Sequence, residues 1–252
     1  MSAAPADATI FKTRRPGQYR PLALVVGSGL EYETDGEESD YGFPFLVEYG
    51  FTSMLKLSVE PSYVVVRKNA GGSVSGLGDL ETTVTCEFPT ERRYRPGLAL
   101  EGVVKWPTAK RGDLGTGKAD YSLGVIISKE LVPVDLDLNA VYTFVGDPSG
   151  VNLENTLEVS LAAEWSLSTL LSLEAEAVTS LGAGGRFHGQ PGSLGGLANL
   201  GGPEQGQSES EGTLGLAEHL SDRFKLEEGM ILKSDGSWQA VAGWELDFGE
   251  GQ

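Results

Sequence analysis

A glycine-rich segment in the middle of the chain is the feature most like a nucleotide site. Gly112-Asp113-Leu114-Gly115-Thr116-Gly117-Lys118 has the spacing of a phosphate-binding loop, in which backbone N–H groups and a lysine hold phosphate oxygens. The match is incomplete, because Ala119 stands where a hydroxyl would bind Mg²⁺. Residues 121–127 also alternate like a strand, so no helix N-terminus would face the phosphates. We therefore predict a surface loop, and no nucleotide or other cofactor.

His219 and Ser221 suggest a second chemistry, the hydrolysis of an ester or a lipid. A serine nucleophile needs a neighbouring base, and these two residues are close in sequence. Spacing assigns them no carboxylate partner, so a structural histidine at a strand end is the favoured interpretation. The other histidine, His188, lies in a glycine-rich segment, and no histidine–cysteine–carboxylate spacing indicates a metal site. We predict that the chain is not an enzyme, with a hydrolase as an alternative.

The strongest chemical signal is a set of acidic side chains that alternate with apolar ones. Leu136 and Leu138 fall on one face of their segment, and Asp135 and Asp137 fall on the other. A period of two is typical of a β-strand whose two faces meet different surroundings. We predict that the polar face lines a lumen, through Glu31, Glu33, Lys56, Glu60, Glu81, Glu87, Glu101, Lys105, Asp135, Asp137, Glu158, Glu164, Glu174 and Glu176.

About twelve segments with this period must position those side chains. They are residues 22–34, 42–50, 53–67, 79–89, 97–107, 120–131, 133–145, 154–166, 169–181, 211–220, 223–233 and 237–248. Segments 211–220 and 223–233 are the least regular, because each places a glutamate, Glu218 or Glu228, among apolar side chains. Connections after even-numbered segments are mostly tight, and those after odd-numbered segments are mostly longer. This pattern predicts an all-β fold, a transmembrane antiparallel up-and-down β-barrel with long extracellular loops and short periplasmic turns.

Composition and charge exclude several other classes of protein. The 252 residues carry a net charge of −17, which argues against nucleic acid as a partner. No apolar run approaches the roughly 20 residues that a spanning helix needs. The single Cys86 cannot form an intrachain disulfide. The first residues lack the apolar core of a signal peptide, so either the protein is cytosolic or the signal has been removed. The barrel pattern favours removal of the signal from a protein of the bacterial outer membrane.

The segment before the first strand is basic, in contrast to the predicted lumen. It carries Lys12, Arg14, Arg15 and Arg20. We predict an N-terminal periplasmic segment over residues 1–21 that enters the acidic lumen as a plug, a barrel over 22–248 and a tail over 249–252. A disordered periplasmic tail is the alternative for the first of these.

Four motifs, in order along the chain, carry a resemblance to a known family. They are Ser75–Leu80 (SGLGDL), Lys105–Thr108 (KWPT), Leu114–Tyr121 (LGTGKADY) and Tyr142–Gly146 (YTFVG). With these motifs the sequence resembles the outer-membrane channels associated with the meta-cleavage pathway of phenol degradation. The resemblance implies a channel, and it makes the glycine–lysine segment a loop motif of that family.

Together, these features predict passive passage of small, apolar or aromatic, solutes through an acidic lumen. The expected partners are outer-membrane lipid, a small-molecule solute and the barrel-assembly machinery. Three alternatives stay open: an outer-membrane hydrolase, a closed non-conducting barrel with a structural or binding role, and a soluble lipid-carrying barrel.

Overall fold

Antiparallel β-strands make up most of the structure, a computed structural model that describes residue 13 and residues 22–34, 38–68, 72–88, 91–111, 114–115, 117–146, 154–182 and 209–249. The strand segments are β1 (Leu24–Thr34), β2 (Glu38–Gly50), β3 (Leu55–Glu60), β4 (Ser62–Lys68), β5 (Ser73–Leu77), β6 (Leu80–Phe88), β7 (Gly97–Trp106), β8 (Asp120–Leu131), β9 (Val134–Phe144), β10 (Thr156–Ser166), β11 (Leu171–Leu181), β12 (Glu209–Ser221), β13 (Phe224–Lys233) and β14 (Trp238–Asp247). None of the described residues forms a helix long and apolar enough to cross a membrane.

The sheet closes on itself. β1 pairs antiparallel with β2 on one side and with β14 on the other, which closes the barrel, while β5 pairs with β4 alone among the described strands. Two barrel strands are each built from two segments: Pro61 separates β3 from β4, and Gly78 and Asp79 separate β5 from β6. Fourteen segments therefore form twelve barrel strands, and the predicted fold is confirmed.

Two prolines lie where the ladder of strand pairing is interrupted. Pro44 of β2 and Pro61 have no N–H group to donate to a neighbouring strand. The carbonyl of Pro61 still accepts a hydrogen bond from Phe45 N at 2.9 Å. The carbonyl of Pro44 accepts one from the hydroxyl of Ser28 at 3.0 Å. Side chains and isolated backbone bonds thus maintain the wall where the regular ladder is interrupted.

The two faces of the barrel differ as the alternating sequence requires. On β8, Leu123 and Val125 point outward with 64% and 40% of their surface exposed. Ile126 and Ser128 point inward, and each is 1% exposed. Successive side chains of a strand lie on opposite faces, so this contrast separates an apolar outer face from a buried inner face.

The two rims differ in the length of their connections. One rim, which we call the short-turn rim, carries tight turns such as 132–133 and 222–223, with 89–96 the longest. The other, the long-loop rim, carries residues 107–119, 145–155 and 182–208. This sorting of connections is typical of an outer-membrane barrel, with the short turns on the periplasmic side.

The two least regular predicted strands are present as β12 and β13. Their pairing sets Leu216 opposite Glu228 and Glu218 opposite Leu226, with one irregularity between His219 and Ser221. Both glutamates are exposed on the outer face, as the alternation predicts. No bulge turns either of them inward.

Candidate functional site

The inner face of the barrel carries all fourteen side chains that the sequence predicts to line a lumen. Most of them are less than a tenth exposed: Glu31, Glu33, Lys56, Glu60, Glu87, Glu101, Lys105, Asp137, Glu174 and Glu176. Four are partly exposed on the same face: Glu81, Asp135, Glu158 and Glu164. Their part in a solute pathway stays a prediction.

The inner face also carries charged groups outside the predicted set of fourteen, several of which are less than a tenth exposed and lie within β2, β13 and β14. They include Asp40, Glu48, Glu227 and Glu245, together with the basic Lys225. Glu48 alternates with Val47 and Tyr49, so its orientation was available from the same period-two pattern. Glu227 and Lys225 lie in the irregular segment 223–233, where the outward Glu228 obscured the assignment of faces.

Lysines on this face are held by neighbouring carboxylates. Lys56 Nζ lies 3.1 Å from Glu48 Oε2, and Lys233 Nζ lies 2.5 Å from Glu33 Oε1. A buried lysine with a carboxylate beside it avoids the cost of an unpaired buried charge.

Two further lysines show the same arrangement. Lys225 forms ion pairs with Glu174, at 3.7 Å, and with Glu227. Lys105 forms an ion pair with Asp120. Inward acids outnumber these lysines, so the described inner wall carries a surplus of negative charge.

Glu31 stands apart from these pairs. Its side chain is 2% exposed, and neither carboxylate oxygen has a hydrogen-bond partner among the residues that the structure describes. The charges of Glu33 and Lys233 act on Glu31 through space. A buried carboxylate without a hydrogen bond is costly, which marks this position as a point where a positive or hydrogen-bonding group would be stabilised.

Thr13, which belongs to the predicted N-terminal segment, lies against the inner face of the barrel. Its backbone N and its hydroxyl both donate to Oε1 of Glu176, each at 2.5 Å, and Thr13 is 4% exposed. The other oxygen of Glu176 accepts from Thr213 at 3.4 Å. The predicted plug residues Lys12, Arg14, Arg15 and Arg20 lie outside the described residues.

The long connection 107–119 folds onto the inner face near the long-loop rim. Leu114 is 1% exposed and packs with Val64 and Val66 of β4, together with Val74 and Ala109. The glycine-rich segment is therefore anchored by an apolar side chain. Strand β8 follows it directly from Asp120, so no helix N-terminus is available for phosphate.

Three of the four sequence motifs meet where this loop is anchored. Asp79 Oδ1 accepts from Ala109 N at 2.9 Å, and the hydroxyl of Thr108 accepts from Leu80 N at 2.8 Å. A side chain at Gly115 would approach within 2.6 Å of Asp79. These contacts give the first three motifs a structural reason, because they hold the loop against β5 and β6.

The fourth motif joins the same region from β9. Gly146 N donates to Asp120 Oδ1 at 2.8 Å, while Asp120 also forms the ion pair with Lys105. A Cβ atom at Gly146 would lie 2.4 Å from the carbonyl oxygen of Ala119. Glycine is therefore required at position 146, because the backbone at Ala119 passes too close for a side chain.

Comparisons with known proteins describe the fold. The sequence matches no protein-family model and no curated protein. The structure is similar to the crystal structure of an outer membrane channel from Pseudomonas putida F1, with a TM-score of 0.67 and 12% identity over 91% of this chain and 97% of that chain. It is also similar to the NanC porin, with a TM-score of 0.57 and 9% identity over 88% and 98%.

The chain has the fold of a bacterial outer-membrane β-barrel. At these identities the likeness concerns the fold, and it agrees with the outer-membrane channel fold that the motifs imply. The association with phenol degradation stays a prediction.

Aromatic pairs on the outer-membrane β-barrel lie toward both rims. The ring centroids of Phe224 and Trp244 are 6.4 Å apart near the short-turn rim. Near the long-loop rim, the ring centroid of Tyr32 lies 5.1 Å from that of Tyr41 and 5.5 Å from that of Trp238. Outer-membrane barrels carry aromatic girdles at both membrane interfaces, so these two groups mark the edges of the apolar band.

His219 has an acidic neighbour that the spacing did not reveal. Its Nε2 lies 4.0 Å from Glu164 Oε1 on the inner face. The hydroxyl of Ser221 accepts from Arg223 N, at 3.2 Å, within its own turn. Ser221 is thus engaged in closing the turn, which favours a structural role for this pair. Among the described residues, no group of three His, Cys, Asp or Glu side chains could hold a metal ion.

Proposed function

We propose that this outer-membrane barrel is a channel for the passive passage of small, apolar or aromatic, solutes, with selectivity set by an acidic lumen. The inner face supports the proposal most directly, because its Glu and Asp side chains outnumber the lysines that pair with them and leave the wall with a surplus of negative charge. A negative wall disfavours anions and admits neutral or cationic molecules. The motif resemblance to channels associated with phenol degradation suggests that the solute is aromatic.

The N-terminal segment is the proposed restriction on flow. The contact of Thr13 with Glu176 supports entry of this segment into the lumen. Val64, Ala99 and Ala217 of the inner face are 0% exposed, which fits a packed interior better than a wide water-filled pore. The basic side chains at 12, 14, 15 and 20 would offset part of the negative charge of the wall.

Single-channel recording in planar bilayers tests both parts of the proposal. Removal of residues 1–20 should raise the conductance of the full chain, and Glu176→Gln should raise it less, because it weakens one anchor only. Glu48→Gln is the matched control, as it neutralises a buried inner-face acid that pairs with Lys56. No increase on deletion would contradict the plug. No conductance from any variant would contradict the channel and leave a closed, non-conducting barrel.

A further inference from the structure

We infer that the hairpin of residues 91–96, on the short-turn rim, binds the phosphate of an anionic phospholipid in the periplasmic leaflet of the outer membrane. The inference uses the outer-membrane location and does not depend on the proposed channel activity. It concerns Arg92, Arg93 and Arg95, three guanidinium groups within four residues of a chain whose net charge is −17.

The backbone of this hairpin is fixed. Arg92 N donates to the carbonyl of Arg95, and Arg95 N donates to the carbonyl of Arg92, each at 3.0 Å. The turn is also attached to the neighbouring turn of the rim, because Glu91 Oε1 accepts from Glu130 N at 2.8 Å. Lys129 Nζ contacts both Glu91 Oε1, at 2.9 Å, and the carbonyl of Arg92, at 3.1 Å. The three arginines therefore extend from an ordered platform.

The acid within the hairpin does not neutralise the arginines. Glu91 is engaged by Lys129, and all three arginine side chains are exposed. Across the part of the chain that the structure describes, none of the three forms an ion pair. The other charges at the adjoining end of β8 are Lys129, which Glu91 holds, and the exposed Glu130. The rim is thus locally positive, although the rest of the barrel is acidic.

Apolar neighbours at the same rim favour a lipid over a soluble anion. Val132 and Leu131 are 76% and 53% exposed on the turn to which the hairpin is attached. Tyr94 is 85% exposed, and the guanidinium of Arg93 lies 5.3 Å from its ring. Tyrosine and arginine next to an apolar band are typical of the level of lipid headgroups. Arginine also binds phosphate oxygens with two parallel hydrogen bonds.

The test measures lipid bound to the delipidated full-length barrel in detergent by native mass spectrometry. Phosphatidylglycerol should bind more tightly than phosphatidylcholine with the same acyl chains, because choline offsets the phosphate charge. The triple variant R92Q/R93Q/R95Q should weaken the binding of phosphatidylglycerol by about fivefold per arginine, or roughly a hundredfold in all. Arg67→Gln is the control, since Arg67 is an exposed outer-face arginine near the opposite rim and contacts Tyr41.

Several results would overturn the inference. Equal affinity of the triple variant and the parent, or an equal loss in Arg67→Gln, would show that the hairpin does not select the lipid. If inorganic phosphate displaced phosphatidylglycerol when the two were present at equal concentrations, the hairpin would be an anion site that does not recognise lipid. Tight binding of lipid A in place of phosphatidylglycerol would place the hairpin at the wrong leaflet. Heat-modifiable migration of each variant on a gel verifies that the barrel has folded.

Discussion

The wall formed by β8 to β11 and the wall formed by β2 to β6 are built in different ways. β8, β9, β10 and β11 pair along continuous registers, and each is 11 or 12 residues long. In β2 to β6, Pro44 and Pro61 interrupt the ladder, and two barrel strands are split into segments. The loop 107–119 is anchored on this second wall. Both walls present apolar side chains on the outer face, while the interrupted wall also holds a loop on its inner side near the long-loop rim.

The largest effect is expected on the regular wall, where the lipid-facing surface sets the stability. Leu138 lies near the middle of β9 and is 42% exposed on the outer face, with Ile127 and Leu161 as its neighbours in register. Leu138→Arg should lower the free energy of unfolding in lipid vesicles by about 2–4 kcal/mol, because a charge at the bilayer centre is poorly solvated.

The control for this change is Leu181→Arg. Leu181 ends β11 and is 47% exposed on the same outer face. The same substitution at the interface should cost about 0–1 kcal/mol. Equal costs at both positions, measured by urea unfolding, would mean that Leu138 does not face the bilayer interior.

The same contrast explains what the sequence could predict. On the regular wall, strict alternation identifies each strand and the face of each residue, including the inward Asp135 and Asp137. On the interrupted wall, alternation assigns β3 and β4 to one strand but does not find the break at Pro61. Strand β5 was missed because Gly76 and Gly78 break the apolar period. The contact of Asp79 with Ala109 joins residues 30 positions apart, and no local pattern encodes such a pairing.

A medium effect is expected where the loop meets the interrupted wall. Leu114→Ala removes the side chain that packs against Val64 and Val66, and burial of such a group contributes about 2–3 kcal/mol. The loop should open locally while the barrel stays folded. Trypsin should then cleave after Lys110 or Arg111 about 30- to 150-fold faster, if cleavage follows the open population.

Leu77→Ala is the matched control for the loop variant. Leu77 lies in β5 beside the loop anchor but is 66% exposed on the outer face. Its truncation should leave the cleavage rate nearly unchanged. Similar acceleration in both variants would show that the cleavage reports general loosening of the wall, and unchanged cleavage in Leu114→Ala would show that Leu114 does not anchor the loop.

The smallest effect is expected from the loss of a single hydroxyl group, compared between the interrupted wall and the regular wall. Ser28→Ala removes the hydrogen bond to the carbonyl of Pro44, and its expected cost is about 0.5–1.5 kcal/mol. Ser122→Ala removes a hydroxyl contact with Thr143, at 2.8 Å, on the regular wall. There the two strands stay joined by a continuous ladder, so hydrogen exchange of the adjacent backbone amides should hardly change. In Ser28→Ala, the hydrogen exchange of the backbone amides from Gly27 to Leu30 should rise several-fold, because the hydroxyl of Ser28 substitutes for part of the interrupted ladder. Equal changes at both sites would remove the distinction between the two walls.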